Sequence, residues 1–191
     1  MQKLRITAVN VCRFVLAATF IFSGYVKAID PLGTLYKLKD YATAMSLNGL
    51  LPDWVLVGVA IALGALEFAL GVFMLFAVRR HVVSRITLAF MTAMTVLTLW
   101  IFVADPVKDC GCFGDALKLT NGETLLKNIV LIACAALVAW RPADMARFIS
   151  RSNQWIVRYY TVAYIVITSV YCLYTLPIFD FRPYHVGMNI K

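Results

Sequence analysis

Two cysteines separated by a single glycine are the residues of this sequence best suited to chemistry. Cys110 and Cys112 lie in the stretch Asp105-Pro-Val-Lys-Asp-Cys-Gly-Cys-Phe-Gly-Asp115, whereas the other three cysteines lie in apolar runs. A disulfide closed through one residue needs unusual backbone angles, which Gly111 adopts at the smallest steric penalty. Because a strained disulfide is more easily reduced than a relaxed one, we predict that Cys110 and Cys112 are catalytic redox residues.

Two alternatives for this pair stay open. The sequence Cys-Gly-Cys is also compatible with a tight turn that carries two unreactive thiols. It is compatible with half of a metal site as well, since thiolates bind zinc and copper. The chain has two histidines, His81 and His185, and the topology inferred below puts His81 on the opposite side of the membrane. We therefore assign no metal ligand, although half of a metal site stays an alternative for the pair.

A second candidate is Glu67, which lies inside a run rich in Ala, Leu, Val and Gly. An ionised carboxylate exposed to lipid at that depth costs a few kcal/mol, so it must be protonated, paired or turned to a polar cavity. It is suited to relaying protons or to hydrogen bonding a bound quinone. The structural alternative is a neutral acid bonded to a neighbouring helix, with the stripe Thr92, Thr95 and Thr98 as the expected partner.

Polar residues near the same membrane face complete the predicted cofactor site. Lys127 and Asn128 are placed to stabilise a thiolate or polarise a quinone carbonyl, although snorkelling to the interface also explains the lysine. Lys27 is assigned to the site as well, with an ion pair to Asp30 as its simplest structural role. Just before Lys127, Thr120-Asn-Gly-Glu123 predicts a capping box at a helix start.

The composition identifies the elements that must position these residues. Of 191 residues, 62% are hydrophobic and 15% are charged, against about 45–50% and about 25% in soluble domains. These values exclude an ordinary soluble domain and a disordered chain. The apolar runs are continuous rather than alternating, which excludes a transmembrane β-barrel. The fold class is therefore an all-α polytopic membrane protein.

Five runs are long enough to cross a hydrocarbon core of about 30 Å. They cover residues 9–28, 54–78, 82–104, 124–140 and 155–176. We divide the chain into a four-helix membrane domain over 1–141, a linker over 142–154, a fifth transmembrane helix over 155–177 and a tail over 178–191. Between the first two spans, residues 35–45 predict a helix along the membrane surface. Three glycines of the second span, Gly58, Gly64 and Gly71, are assigned to close helix packing.

The distribution of charge predicts the orientation. One set of loops carries ten of the 18 Lys and Arg residues and a single acid, Asp144, while the other carries equal numbers of basic and acidic residues. Cationic loops stay in the cytoplasm, so the N-terminus is predicted to be cytoplasmic and the cysteine pair and C-terminus periplasmic. Because membrane topology accounts for the net charge of +8, we predict that the protein does not bind nucleic acid.

Four segments together resemble a known family. They are Ser23-Gly-Tyr-Val-Lys27-Ala-Ile-Asp-Pro-Leu-Gly33, Glu67-Phe-Ala-Leu-Gly71, Asp109-Cys-Gly-Cys-Phe-Gly-Asp115 and Lys127-Asn128. They are similar to the MauE/DoxX redox-associated membrane proteins, and the chain's last residues resemble a subgroup from Bacteroidetes-type bacteria. The resemblance implies a DoxX-like four-helix bundle, here with a fifth span, and a role in extracytoplasmic thiol chemistry. It matches Cys110 and Cys112 to the family's redox pair.

The sequence thus predicts an inner-membrane thiol–disulfide oxidoreductase of a bacterium, surrounded by membrane lipid. It would exchange electrons between a periplasmic thioredoxin-like or substrate thiol protein and a membrane carrier, with a quinone as the expected cofactor. Two other functions stay open. One is a non-enzymatic membrane scaffold that docks a periplasmic redox protein, and the other is a small transporter that uses Glu67.

Overall fold

The computed structural model describes residues 2–45, 52–104, 116–117 and 119–175. Within these ranges the chain forms helices and no β-strand. The helices are α1 (Gln2–Ile29), α2 (Pro31–Ala44), α3 (Asp53–Leu75), α4 (Arg80–Ala104), α5 (Asn121–Trp140) and α6 (Gln154–Tyr174), with a 3-10 turn at Pro142–Asp144. All except α2 are long and apolar enough to cross a membrane. The predicted all-α fold with five spans is confirmed.

The boundaries of these helices follow from local sequence. Thr120 accepts a hydrogen bond from the backbone N–H of Glu123, while Glu123 accepts one from the backbone N–H of Thr120, so the predicted capping box is present. Asp30 caps α2 through the N–H of Gly33 at 2.9 Å, and Pro31 occupies the first turn. The helix expected over 35–45 is therefore confirmed and begins earlier, at Pro31.

Helix α1 is the centre of the bundle. It packs along α3 and also contacts α5 and α6, while α4 packs mainly on α5 and α6 lies against α3. The buried core is apolar and includes Leu16, Phe20 and Met74. Large apolar side chains on the outside, such as Val103 and Leu126, are more than half exposed, as expected for helices that face lipid.

Glycines allow α1 and α3 to approach closely. A Cβ atom at Gly71 would lie 2.7 Å from the backbone nitrogen of Ile21, and one at Gly24 would overlap the backbone of Phe68. A Cβ atom at Gly64 would lie 3.1 Å from that of Lys27. Packing is thus the role of Gly64 and Gly71. The same assignment for Gly58 is wrong, because that glycine lies beyond the close α1–α3 contact and has no such neighbour within 4 Å among the described residues.

We expect Gly24→Ala to destabilise the bundle by about 1–3 kcal/mol, the usual penalty for overpacking. The added methyl group would meet backbone atoms of Gly64 and Phe68, which cannot rotate away as a flexible side chain can. Thermal unfolding in detergent measures the effect. Gly58→Ala is the matched control and should leave the melting temperature unchanged or slightly raised. Equal effects of the two variants would contradict this description of the interface.

The segment between α5 and α6 packs back on one end of the bundle. Asn10 donates to the carbonyl of Asp144 at 3.1 Å and accepts from the N–H of Ala146 at 3.0 Å. Arg13, which is fully buried, donates to the carbonyl of Ala146, and its guanidinium lies 5.1 Å from the ring centre of Phe148. We call this the arginine end. At the opposite end, the loop end, α4 ends and α5 begins.

Candidate functional site

A serine, a lysine and a glutamate meet where α1 packs on α3. Ser23 and Lys27 are four residues apart on α1, so they lie on the same face of the helix. The close approach at Gly24 and Gly64 brings this face against Glu67 of α3. All three side chains are buried. We call them the α1–α3 polar cluster.

Short contacts connect the three side chains. The Lys27 Nζ atom lies 2.8 Å from Glu67 Oε2, and each side chain of this ion pair is 4% exposed. Ser23 Oγ donates to Glu67 Oε2 at 2.7 Å and accepts from Lys27 Nζ at 2.7 Å. A buried carboxylate and a buried ammonium therefore neutralise each other, and a hydroxyl bridges them. This pairing is how the chain tolerates both charges inside the membrane region.

The prediction that the threonine stripe of α4 bonds Glu67 is wrong. Thr92 and Thr95 donate to carbonyl groups one turn earlier in their own helix, at 2.9 Å and 2.7 Å. Thr98 accepts a hydrogen bond from Asn128 Nδ2 at 3.1 Å. The reason is local, because a helical threonine readily bonds the carbonyl four residues before it, while the glycine contact places α1 next to Glu67.

A small cavity separates the α1–α3 polar cluster from α4 and α5. Its volume is about 30 Å³, which is room for one or two water molecules. The wall includes Ser23 and Glu67 on one side and Lys127 and Asn128 on the other, with Phe90, Met91 and Met94 among the apolar lining. Three residues assigned to the cofactor site thus line one cavity, and the fourth, Lys27, bonds Glu67.

The cavity lies near the middle of the bundle, since Glu67 is 14 residues after the start of α3 and eight residues before its end. Lys27 is two residues before the end of α1, and Asn128 is seven residues after the start of α5. Asn128 is buried and Lys127 is partly buried. Cys110 and Cys112 lie outside the described residues, in the segment of sequence that connects α4 to α5.

The cavity is too small for the quinone expected at this site. Pockets for organic ligands usually enclose about 300–1,000 Å³, and the ring of a quinone needs far more room than a pair of water molecules. The polar groups are also already engaged, since Asn128 bonds Thr98 and Glu67 bonds Lys27. In this conformation the residues suit ordered water rather than a quinone ring.

Two features escaped the sequence analysis. Ser23 bridges the ion pair, and its spacing of four residues from Lys27 is the signal that would have revealed it. Cys12 of α1 and Cys134 of α5 are free thiols that lie close to each other, in the half of the bundle toward the arginine end. Nothing in their spacing of 122 positions indicates this contact, which depends on how α1 packs on α5.

Comparison with known proteins places this architecture in a family. Residues 5–141, which include all of α2 to α5 and most of α1, match the family described as methylamine utilisation protein MauE. No curated protein and no solved structure matches the chain. The match covers more than half of the sequence and contains every residue that lines the cavity. Together with the five apolar helices, it shows that this chain is a multi-pass membrane protein that belongs to the MauE family.

Proposed function

We propose that this protein is a membrane thiol–disulfide oxidoreductase whose reactive pair is Cys110 and Cys112. The observation that carries the proposal is the position of the α1–α3 polar cluster. This buried ion pair borders a water-sized cavity whose wall includes Asn128, seven residues into α5, the helix that follows the Cys-Gly-Cys segment in the sequence. Methylamine utilisation, the process in the family's description, would then depend on such chemistry in a partner protein.

The reaction is an exchange of disulfides. A thiolate of the partner attacks one sulfur of the Cys110–Cys112 disulfide, the bond between these two cysteines breaks, and a mixed disulfide forms. A second thiolate of the partner then attacks the mixed disulfide. The partner leaves with a new disulfide, and both cysteines remain as thiols, so two electrons have passed from the partner to the pair. The partner is a periplasmic thiol protein, in keeping with the cytoplasmic N-terminus that the charge distribution predicts.

Return of the pair to its disulfide form requires an acceptor of two electrons and two protons, and a membrane quinone is the class of acceptor that we propose. The water-sized cavity does not fit it, so we place no step of quinone reduction there. The role we propose for the cavity is proton transfer. One or two water molecules and Lys127 would carry protons between the buried carboxylate of Glu67 and the loop end.

Thiol trapping tests the proposal most directly. We expect a membrane-impermeant maleimide to label intact cells only after reductant is added, in a variant where alanine replaces Cys12, Cys134 and Cys172. Such labelling would show an external, reversible disulfide between Cys110 and Cys112. A variant in which serine also replaces these two cysteines is the control and should not be labelled. Immediate labelling would contradict the disulfide, and no labelling after reduction would contradict the predicted orientation.

A further inference from the structure

A second cavity, of about 450 Å³, opens at the arginine end. It lies between the turn that joins α3 to α4 and the segment that leads into α6, far from the α1–α3 polar cluster. Its size is typical of a ligand site. The basic side chains that line it are Arg79, Arg80, His81, Arg147, Arg151 and Arg158. We call this the arginine cavity.

Hydrogen bonds hold the walls of the arginine cavity together. Arg80 Nη1 donates to the carbonyl groups of Ala143 at 2.7 Å and Met145 at 3.2 Å, which ties α4 to the segment after α5. The N–H of Arg79 donates to Gln154 Oε1 at 3.3 Å, which ties the turn to the start of α6. Arg79 has a φ of 40°, an uncommon backbone conformation for a residue other than glycine. The fold therefore positions the Arg80 side chain and the backbone of Arg79.

The positive charge of this cavity lacks a matching negative charge among the described residues. No carboxylate belongs to the described lining, and Arg147 and Arg151 both repel Arg80. Asp144 attracts Arg80, but its Oδ2 atom lies 2.9 Å from Arg5 Nε. The Nε atom of Arg80 is buried and has no hydrogen-bond partner in the described part of the chain. A bound anion would relieve this repulsion and supply acceptors.

Aromatic residues mark the depth of the cavity in the membrane. Trp155 and Tyr159 pack against each other at 6.2 Å on the first turns of α6, and both are at least half exposed. Trp140, at the end of α5, is 77% exposed, and the guanidinium of Arg141 lies 5.4 Å from its ring centre. Exposed Trp and Tyr side chains typically lie at the level of the lipid headgroups. The arginine cavity is therefore at headgroup depth.

We propose that the arginine cavity binds the phosphate-bearing headgroup of an anionic phospholipid. Arginine matches phosphate geometrically through paired N–H donors, and basic pockets at helix ends are suited to such headgroups. Orientation by positive charge explains why arginines occur at this end, but it does not require five of them to surround one cavity. A free phosphate ion offers the same chemistry. The position at headgroup depth favours the lipid.

Lipid binding to the full chain in neutral detergent tests the proposal. We expect the protein to bind phosphatidylglycerol at least about tenfold more tightly than phosphatidylcholine. The double variant Arg147→Gln/Arg151→Gln should bind phosphatidylglycerol about tenfold more weakly than the unchanged protein does. Both arginines are exposed, so their replacement should not disturb folding. Lys3→Gln/Arg85→Gln is the matched control, because it removes the same charge from exposed positions at this end outside the cavity. It should change the affinity less than about twofold.

Three results would overturn the proposal. They are equal loss of affinity in the two double variants, equal affinity for the two lipids, and displacement of phosphatidylglycerol by inorganic phosphate at equal concentration. The last would make a soluble phosphate the ligand. Circular dichroism verifies that each variant is folded. If Arg147→Gln/Arg151→Gln does not fold, Arg158→Gln replaces it, with an expected loss of about threefold and the same control.

Discussion

Replacing Lys27 by methionine should lower the free energy of unfolding by about 3–5 kcal/mol, the usual effect of breaking a buried ion pair. Methionine keeps much of the side-chain volume but removes the ammonium group that lies 2.8 Å from Glu67 Oε2. The carboxyl group, 4% exposed, would then keep Ser23 as its one hydrogen-bond donor in the described structure. An ionised carboxylate with so little compensation is costly in this environment, and a protonated one loses its electrostatic role.

Denaturant titration in mixed micelles, followed by circular dichroism, measures this effect. The double variant Lys27→Met/Glu67→Leu should recover most of the lost stability, because it removes both charges and leaves apolar groups of similar size. Lys39→Met is the control. Lys39 pairs with Asp53 at 2.9 Å on the surface, where an ion pair contributes less than about 1 kcal/mol. Equal effects of Lys27→Met and Lys39→Met would show that the buried pair carries no stability.

The helices of this protein could be predicted from the sequence because each membrane span must satisfy the same physical requirement by itself. An apolar run of about 20 residues must be helical to satisfy its backbone in lipid. The start of α5 was also predictable, because the capping box joins Thr120 and Glu123, which are three residues apart in the sequence. The predicted and observed starts of the spans differ most for α1, which begins at Gln2 rather than near residue 9. Basic residues such as Lys3 and Arg5 are good helix formers and do not interrupt it.

The partners inside the bundle could not be predicted in the same way. The sequence shows that Glu67 needs a partner but not which helix supplies it. That choice depends on Gly24 and Gly64, which allow α1 to approach α3, and it leads to Ser23 and Lys27 instead of the threonines of α4. Gly58 shows the opposite error, since this glycine of the same helix makes no close contact with the part of the chain that the structure describes.

Replacing either cysteine of the Cys-Gly-Cys segment by serine should abolish the proposed activity. We expect Cys110→Ser and Cys112→Ser each to reduce the oxidation of dithiothreitol by the protein at least about 100-fold in liposomes that contain ubiquinone, because serine cannot form a disulfide. In cells, one of the two variants should also accumulate a mixed disulfide, because its remaining thiolate attacks the disulfide of the oxidised partner and no second cysteine is present to resolve the product. This product appears as a reductant-sensitive band on electrophoresis, and it identifies the cysteine that the partner's thiolate attacks.

The matched control is Cys12→Ser/Cys134→Ser, which also removes two thiols. These two free thiols lie close to each other, and Cys134 lies six residues before the end of α5 that is remote from the Cys-Gly-Cys segment. A single reactive pair therefore predicts at least half of the normal rate in this variant. Loss of activity here would mean that electrons pass through a second pair. Full function of Cys110→Ser/Cys112→Ser in cells would instead contradict catalysis and favour a scaffold, because only a redox role requires the two sulfur atoms.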